Sequence, residues 1–91
     1  MKQNPNVKEK DIILTDETEN LHLILYNDDY NTIDFVIDSL VKICKHTIKQ
    51  ATQCTLIAHY KGKCEVKEGR YEKLKPMKDG LIDRGLTAAI E

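Results

Sequence analysis

The chain has 91 residues, 41% of them hydrophobic, with 14 basic against 15 acidic side chains and a net charge of −1. That describes one small domain with one modest core, without the basic excess of a nucleic-acid binder. No apolar run is long enough to span a membrane, and the opening MKQNPNVKEKD lacks the apolar segment of a secretory signal. A cytoplasmic protein that contacts neither membrane nor nucleic acid is expected.

Residues 1–18 are polar and mixed in charge, with few apolar side chains beyond Val7 and the cluster Ile12-Ile13-Leu14. Such a segment buries too little surface to offset its ordering entropy, so it reads as a flexible N-terminal arm ahead of a domain over 19–91. Leu21–Tyr26 alternates, with Leu21, Leu23 and Leu25 on one face and His22, Ile24 and Tyr26 on the other. This period of two predicts a first strand. The polar junction Asn27-Asp28-Asp29-Tyr30-Asn31 follows.

A first helix is predicted from about Thr32 to His46, capped by Asn31 or Thr32. Its expected buried stripe is Ile33, Val36, Ile37, Leu40 and Cys44. Thr47-Ile48-Lys49-Gln50 fits a capping box and starts a second helix that ends near His59, stopped by Gly62. Its predicted apolar face is Ile48, Ala51 and Leu56, extended by Thr52 and Thr55. Lys63–Lys67 alternates weakly as a second strand, and Glu68-Gly69 turns the chain.

Tyr71–Asp83 reads as a third helix interrupted by Pro76. An interior proline costs about 3 kcal/mol, so the regular part is expected to begin at Pro76, after a looser turn over 71–74. Gly80 weakens this helix, and Leu86–Ile90 closes the chain as a third strand. The order predicts an α+β domain: a small three-stranded antiparallel sheet packed against three helices.

No catalytic constellation is complete, and the chain is expected not to be an enzyme. Ser39 is the sole serine and sits inside a helix. Cys54 and His59, five residues apart, fall on different helix faces, which argues against a thiol nucleophile. Cys44, Cys54 and Cys64 include no CxxC pair and are expected as free thiols. With His46 and His59 they match none of the usual zinc ligand spacings, so neither metal nor cofactor is expected.

Two features remain. The junction Asn27-Asp28-Asp29 is explained by turn and cap chemistry, and His59 by a helix-end histidine facing the negative end of the dipole. Taken together they offer an amide oxygen, a carboxylate and a neutral imidazole nitrogen, all acceptors. Three converging acceptors suit an ammonium group, and an apolar wall beside them would hold the hydrophobic side chain of that amine.

The stretches LYNDDYNTIDFVIDSL (25–40) and ATQCTLIAHYKGKC (51–64) resemble the ClpS family, adaptors of the bacterial ATP-dependent Clp protease. The resemblance implies a substrate adaptor that binds proteins whose N-terminal residue is Leu, Phe, Tyr or Trp and hands them to a Clp AAA+ ATPase. By that likeness Asn27, Asp28 and His59 would hold the substrate's α-amino group. Ile33, Thr55, Ala58 and Leu86 would line the first side chain's pocket, with Asn31 and Thr32 at its rim. The N-terminal arm and Glu72 would face the ATPase.

Three departures stand out. Thr32 replaces a frequent proline, Thr55 replaces a larger apolar residue, and Tyr71–Asp83 differs from the family's usual third helix. The alternative is a non-catalytic interaction module of similar fold with a different partner. It would have no need of Asn27, Asp28 and His59 together.

Overall fold

The computed structural model describes residues 20–91; the arm expected over 1–18 lies outside the described residues. The elements are β1 (Leu21–Tyr26), α1 (Ile33–Cys44), α2 (Ile48–Lys61), β2 (Lys63–Gly69), α3 (Tyr71–Asp83) and β3 (Thr87–Ile90). The strands form one antiparallel sheet in the order β2-β1-β3. This is the expected α+β arrangement. β2 and β3 both flank β1, so α3 carries the chain across the central strand in a split β-α-β connection.

The registers Leu25↔Cys64 and Leu25↔Ala88 place β1 at the centre. Its inward leucines Leu23 and Leu25 are buried with Leu40, Cys44, Ala51, Leu74, Leu81 and Leu86. Between Leu23 and Ile24 the register with β2 slips by one residue, since Leu23 faces Lys67 but Ile24 faces Glu65. That bulge leaves Val66 unpaired in the ladder and buried in the core.

Both anticipated caps form. Thr32 Oγ1 accepts from Phe35 N at 3.1 Å to start α1. At α2, Thr47 Oγ1 accepts from Gln50 N at 3.1 Å while Gln50 Oε1 accepts from Thr47 N at 2.9 Å, completing the capping box.

The buried face of α2 differs from the predicted one. Ala51, Cys54, Thr55 and Ala58 are buried, whereas Ile48 is 71% exposed and Leu56 lies at the surface. The buried set follows i, i+3, i+4, i+7 spacing. Its small side chains form the face packed towards α1 and β2. In α1, Leu40, Cys44 and Ser39 are buried, but Ile33 is 40% exposed.

α3 also departs from the predicted form, because it is helical from Tyr71 through Pro76 to Asp83. Pro76 is only six residues in. It removes the one bond its own N–H would have made, to the Glu72 carbonyl in the first turn. Burial of Leu74 and Leu81 on either side holds the segment in one helix. The α1–α3 contact is tied by Arg84. Its guanidinium donates to Ser39 Oγ at 2.8 Å and Asp38 Oδ2 at 2.9 Å, and lies 4.7 Å from the Phe35 ring centroid.

Candidate ligand-binding site

A cavity of about 220 Å³ opens where β1 runs into α1 and α2 passes alongside. Its polar rim is Tyr26, Asn27, Asp28, Asp29, Asn31 and His59, and its wall is Leu25, Ile33, Val36, Thr55 and Ala58. The local chemistry follows from the sequence. β1 ends at Tyr26, Asn27 N donates to Gly62 O at 3.0 Å, and the chain turns through Asp28 into the capped α1. α2 presents Thr55, Ala58 and His59 along one side, within four residues of one another.

Asp28 organises the turn. Its Oδ1 accepts from Tyr30 N at 2.9 Å and Asn31 N at 2.8 Å, and its Oδ2 accepts from Asn31 Nδ2 at 3.0 Å. Partial burial pushes its carboxyl upwards, but the hydrogen bonds from Asn31 and Tyr30 outweigh it and hold the group below the usual carboxylate value. A carboxylate offers about four lone-pair sites. Three are used, and one is left for a donor in the cavity. Asn31 Nδ2 also donates to Gly85 O at 3.0 Å, so this side chain ties the Asp28 loop to the turn between α3 and β3. Gly85 adopts φ +91°, a left-handed conformation that favours glycine. The His59 ring meets Tyr60 edge-on at 5.1 Å between centroids.

Seven of the residues singled out from sequence therefore line one cavity: Asn27, Asp28, Asn31, Ile33, Thr55, Ala58 and His59. Thr32 and Leu86 are not among its lining residues. Thr32 is occupied as the α1 cap, and Leu86 is 4% exposed within the core. Glu72 stands apart in the first turn of α3, with its carboxyl 3.4 Å from Arg70 Nε. A backbone hydrogen bond in its own turn and the Arg70 guanidinium hold that carboxyl below its usual value.

Asp29 of the same junction also lines the cavity, and Leu25, Tyr26 and Val36 do so without having been proposed for the site. Val36 had been read as part of the buried stripe of α1, and Leu25 is buried in the core beside it, which is where a pocket cut into the edge of a core draws its wall. Cys54 is 5% exposed, its thiol points to Glu65 O, and burial pushes that thiol up. It does not line the cavity and is a protonated core side chain rather than a nucleophile.

Among the described residues one group could hold a cation. His22, Glu65 and Glu68 bring their ligand atoms within 4.8 Å of one another, with His22 Nδ1 at 3.0 Å from Glu65 Oε1. Glu65 and Glu68, three apart, would face opposite ways on a regular strand. The bulge at Val66 restores them to His22's side of the sheet. This group is separate from the cavity.

The ClpS family model, described as ATP-dependent Clp protease adaptor protein ClpS, matches residues 16–88. The chain belongs to the ClpS family. Among solved structures it is similar to Agrobacterium tumefaciens ClpS2 bound to L-phenylalaninamide, with a TM-score of 0.69 at 22% identity, covering 81% of this chain and 96% of that one. At that identity the likeness is one of fold. As a ClpS-family chain the protein is a Clp protease adaptor. No helix among the described residues is long and apolar enough to cross a membrane.

Proposed function

We propose that the cavity binds the N-terminal residue of substrate proteins and that the chain delivers them to a Clp AAA+ ATPase. The observation that carries this reading is the convergence of Asn27, Asp28 and His59 at the rim of one cavity whose wall is largely apolar. Three acceptors, one of them a carboxylate, match the three donors and positive charge of an α-ammonium. Ile33, Val36, Ala58 and Leu25 take the first side chain, favouring Leu, Phe, Tyr or Trp. Asn31 acts behind Asp28, using both amide hydrogens to hold that carboxylate and the Gly85 carbonyl.

The bound ligand of Agrobacterium ClpS2, an amide of phenylalanine with a free α-amino group, supports this choice of substrate chemistry. Residues 1–18 and Glu72 would engage the ATPase in the cytoplasm. The three cysteines are free thiols, in keeping with a reducing compartment.

The test is fluorescence anisotropy with a labelled peptide beginning with Phe, free or N-acetylated. Acetylation removes the charge and two donors. A hydrogen bond to a charged group contributes about 1.5–3 kcal/mol, so affinity is expected to fall at least roughly tenfold. Asp28→Asn is expected to have a similar effect while keeping a side-chain oxygen for the turn. Equal binding of the free and acetylated peptides would refute the amine site.

A further inference from the structure

The face of the sheet turned away from the core carries a group that substrate capture does not use. β1 buries Leu23 and Leu25 in the core, so His22 projects from the opposite face. Glu68 is the partner of His22 across β1 and β2, and Glu65 is the partner of Ile24 beyond the bulge, which puts both carboxylates on His22's side. On the β3 side, Glu91 exchanges both backbone hydrogen bonds with His22, at 2.8 and 2.7 Å. Such a pair shares a face, but the Glu91 carboxylate is engaged by the Tyr26 hydroxyl, which donates to it. Glu65 and Glu68 are left to His22.

The ligand atoms of these three residues lie within 4.8 Å of one another. His22 Nδ1 and Glu65 Oε1 are 3.0 Å apart, yet Nδ1 has no hydrogen-bond partner among the described residues. The ring nitrogen is therefore not aligned with the carboxylate oxygen, as a hydrogen-bonded ion pair requires. Two donor atoms this close and aimed past one another are arranged like ligands that share a cation. On an ion with bonds of about 2.1 Å, neighbouring ligand atoms stand roughly 3.0–3.4 Å apart. Glu65 and Glu68 are exposed, so an ion reaches the group through their carboxylates, and rotation of two glutamate side chains closes the remaining distance.

We infer that His22, Glu65 and Glu68 form a binding site for a divalent transition cation, Zn²⁺ first, that clamps β1 to β2 on the outer face of the sheet. The imidazole nitrogen favours Zn²⁺ over Mg²⁺ and Ca²⁺, which take oxygen shells, and two carboxylates balance the ion's charge. Three protein ligands leave the fourth tetrahedral position to water. None of the three residues lines the cavity, so the site is independent of amine binding. Sequence spacing conceals it, because only the strand pairing joins residue 22 to 65 and 68, and only the bulge gives both glutamates the same face.

The test is calorimetric titration of zinc chloride into the full chain, in metal-free buffer with a phosphine reductant, as wild type, His22→Gln, Glu68→Gln and Cys64→Ser. Wild type is expected to take up a single ion, and His22→Gln and Glu68→Gln each to weaken uptake at least roughly tenfold. Cys64→Ser removes the most accessible of the three thiols and should leave uptake unchanged. Zn²⁺ should raise the melting temperature of wild type and not that of His22→Gln, and melts without metal report that each variant folds. Absence of uptake by wild type overturns the inference, leaving an ordinary surface cluster. Uptake that is unchanged in both His22→Gln and Glu68→Gln overturns it as well, and loss in Cys64→Ser alone reassigns the ion to a thiol. Peptide affinity is not read in any arm, so failure here leaves the proposed function standing.

Discussion

Asp28 carries two duties in one carboxylate. Its bonds to Tyr30 N, Asn31 N and Asn31 Nδ2 hold the loop, and the residue also lines the cavity, where the proposed function gives it an ammonium to bind. Because its folded-state value is depressed below 3.8, the loop bonds contribute stability that is present above the unfolded value and lost as pH falls through the lower folded one. Asp28→Asn is therefore expected to flatten the acid side of the stability curve as pH falls below about 4, measured by urea unfolding at a series of acid pH values. An unchanged slope would mean that the carboxylate is not held by the loop. Thr55 gives the opposite kind of prediction. Its hydroxyl is buried and unpaired in the free protein, so Thr55→Val is expected to stabilise the fold by about 1 kcal/mol in thermal melts. A loss of stability would show that the hydroxyl is matched. The Asn-Asp-Asp junction was legible as a candidate site because its residue types are acceptors. Thr55's unpaired state was not, since a helical threonine normally finds its own i−4 carbonyl.

At the scale of elements, the caps and element order followed from local chemistry, and the misjudged features were those that depend on a neighbour. Ile48 and Leu56 read as core because they are large and apolar. The buried stripe is instead Ala51, Cys54, Thr55 and Ala58, set by which side of α2 meets the rest of the molecule. Ile33 read as core and became cavity wall. Gly80 read as a weakness in α3, yet a Cβ there would lie 3.0 Å from Ile43 Cγ2 and 3.2 Å from Ile43 Cδ1. The glycine allows α3 to approach α1 closely. Gly80→Val is expected to destabilise by about 1–3 kcal/mol through crowding, despite valine's better helix propensity. A rise in melting temperature would show that Ile43 moves aside freely. Thr47→Ala should cost about 1 kcal/mol by removing half of the capping box. No change in chemical denaturation would mean that α2 is held by packing alone.

For the molecule as a whole, β1, α1 and α2 contribute the cavity, while α3 and β3 support it through Asn31 and the Gly85 turn. Glu72 sits outside the cavity. Under the proposed function, substrate capture and ATPase engagement use different parts of the chain. Removal of residues 1–18 is then expected to leave peptide affinity unchanged and to abolish degradation of a Phe-initiated reporter by a reconstituted Clp ATPase and protease. Undiminished degradation by the shortened chain would show that the arm has no part in delivery.

Periodicity, caps and turn residues by themselves determined the six elements, their order and the α+β class, because these act over a few residues of chain. The stretches 25–40 and 51–64 further determined the family. Tertiary structure alone decided which residues meet. It brought His59 to the same cavity as Asn27 and Asp28, kept Leu86 in the core and engaged Thr32 as a cap. Through one bulge it turned Glu65 and Glu68 to the same side of the sheet. Those outcomes depend on contacts between residues distant in sequence, which no local pattern records.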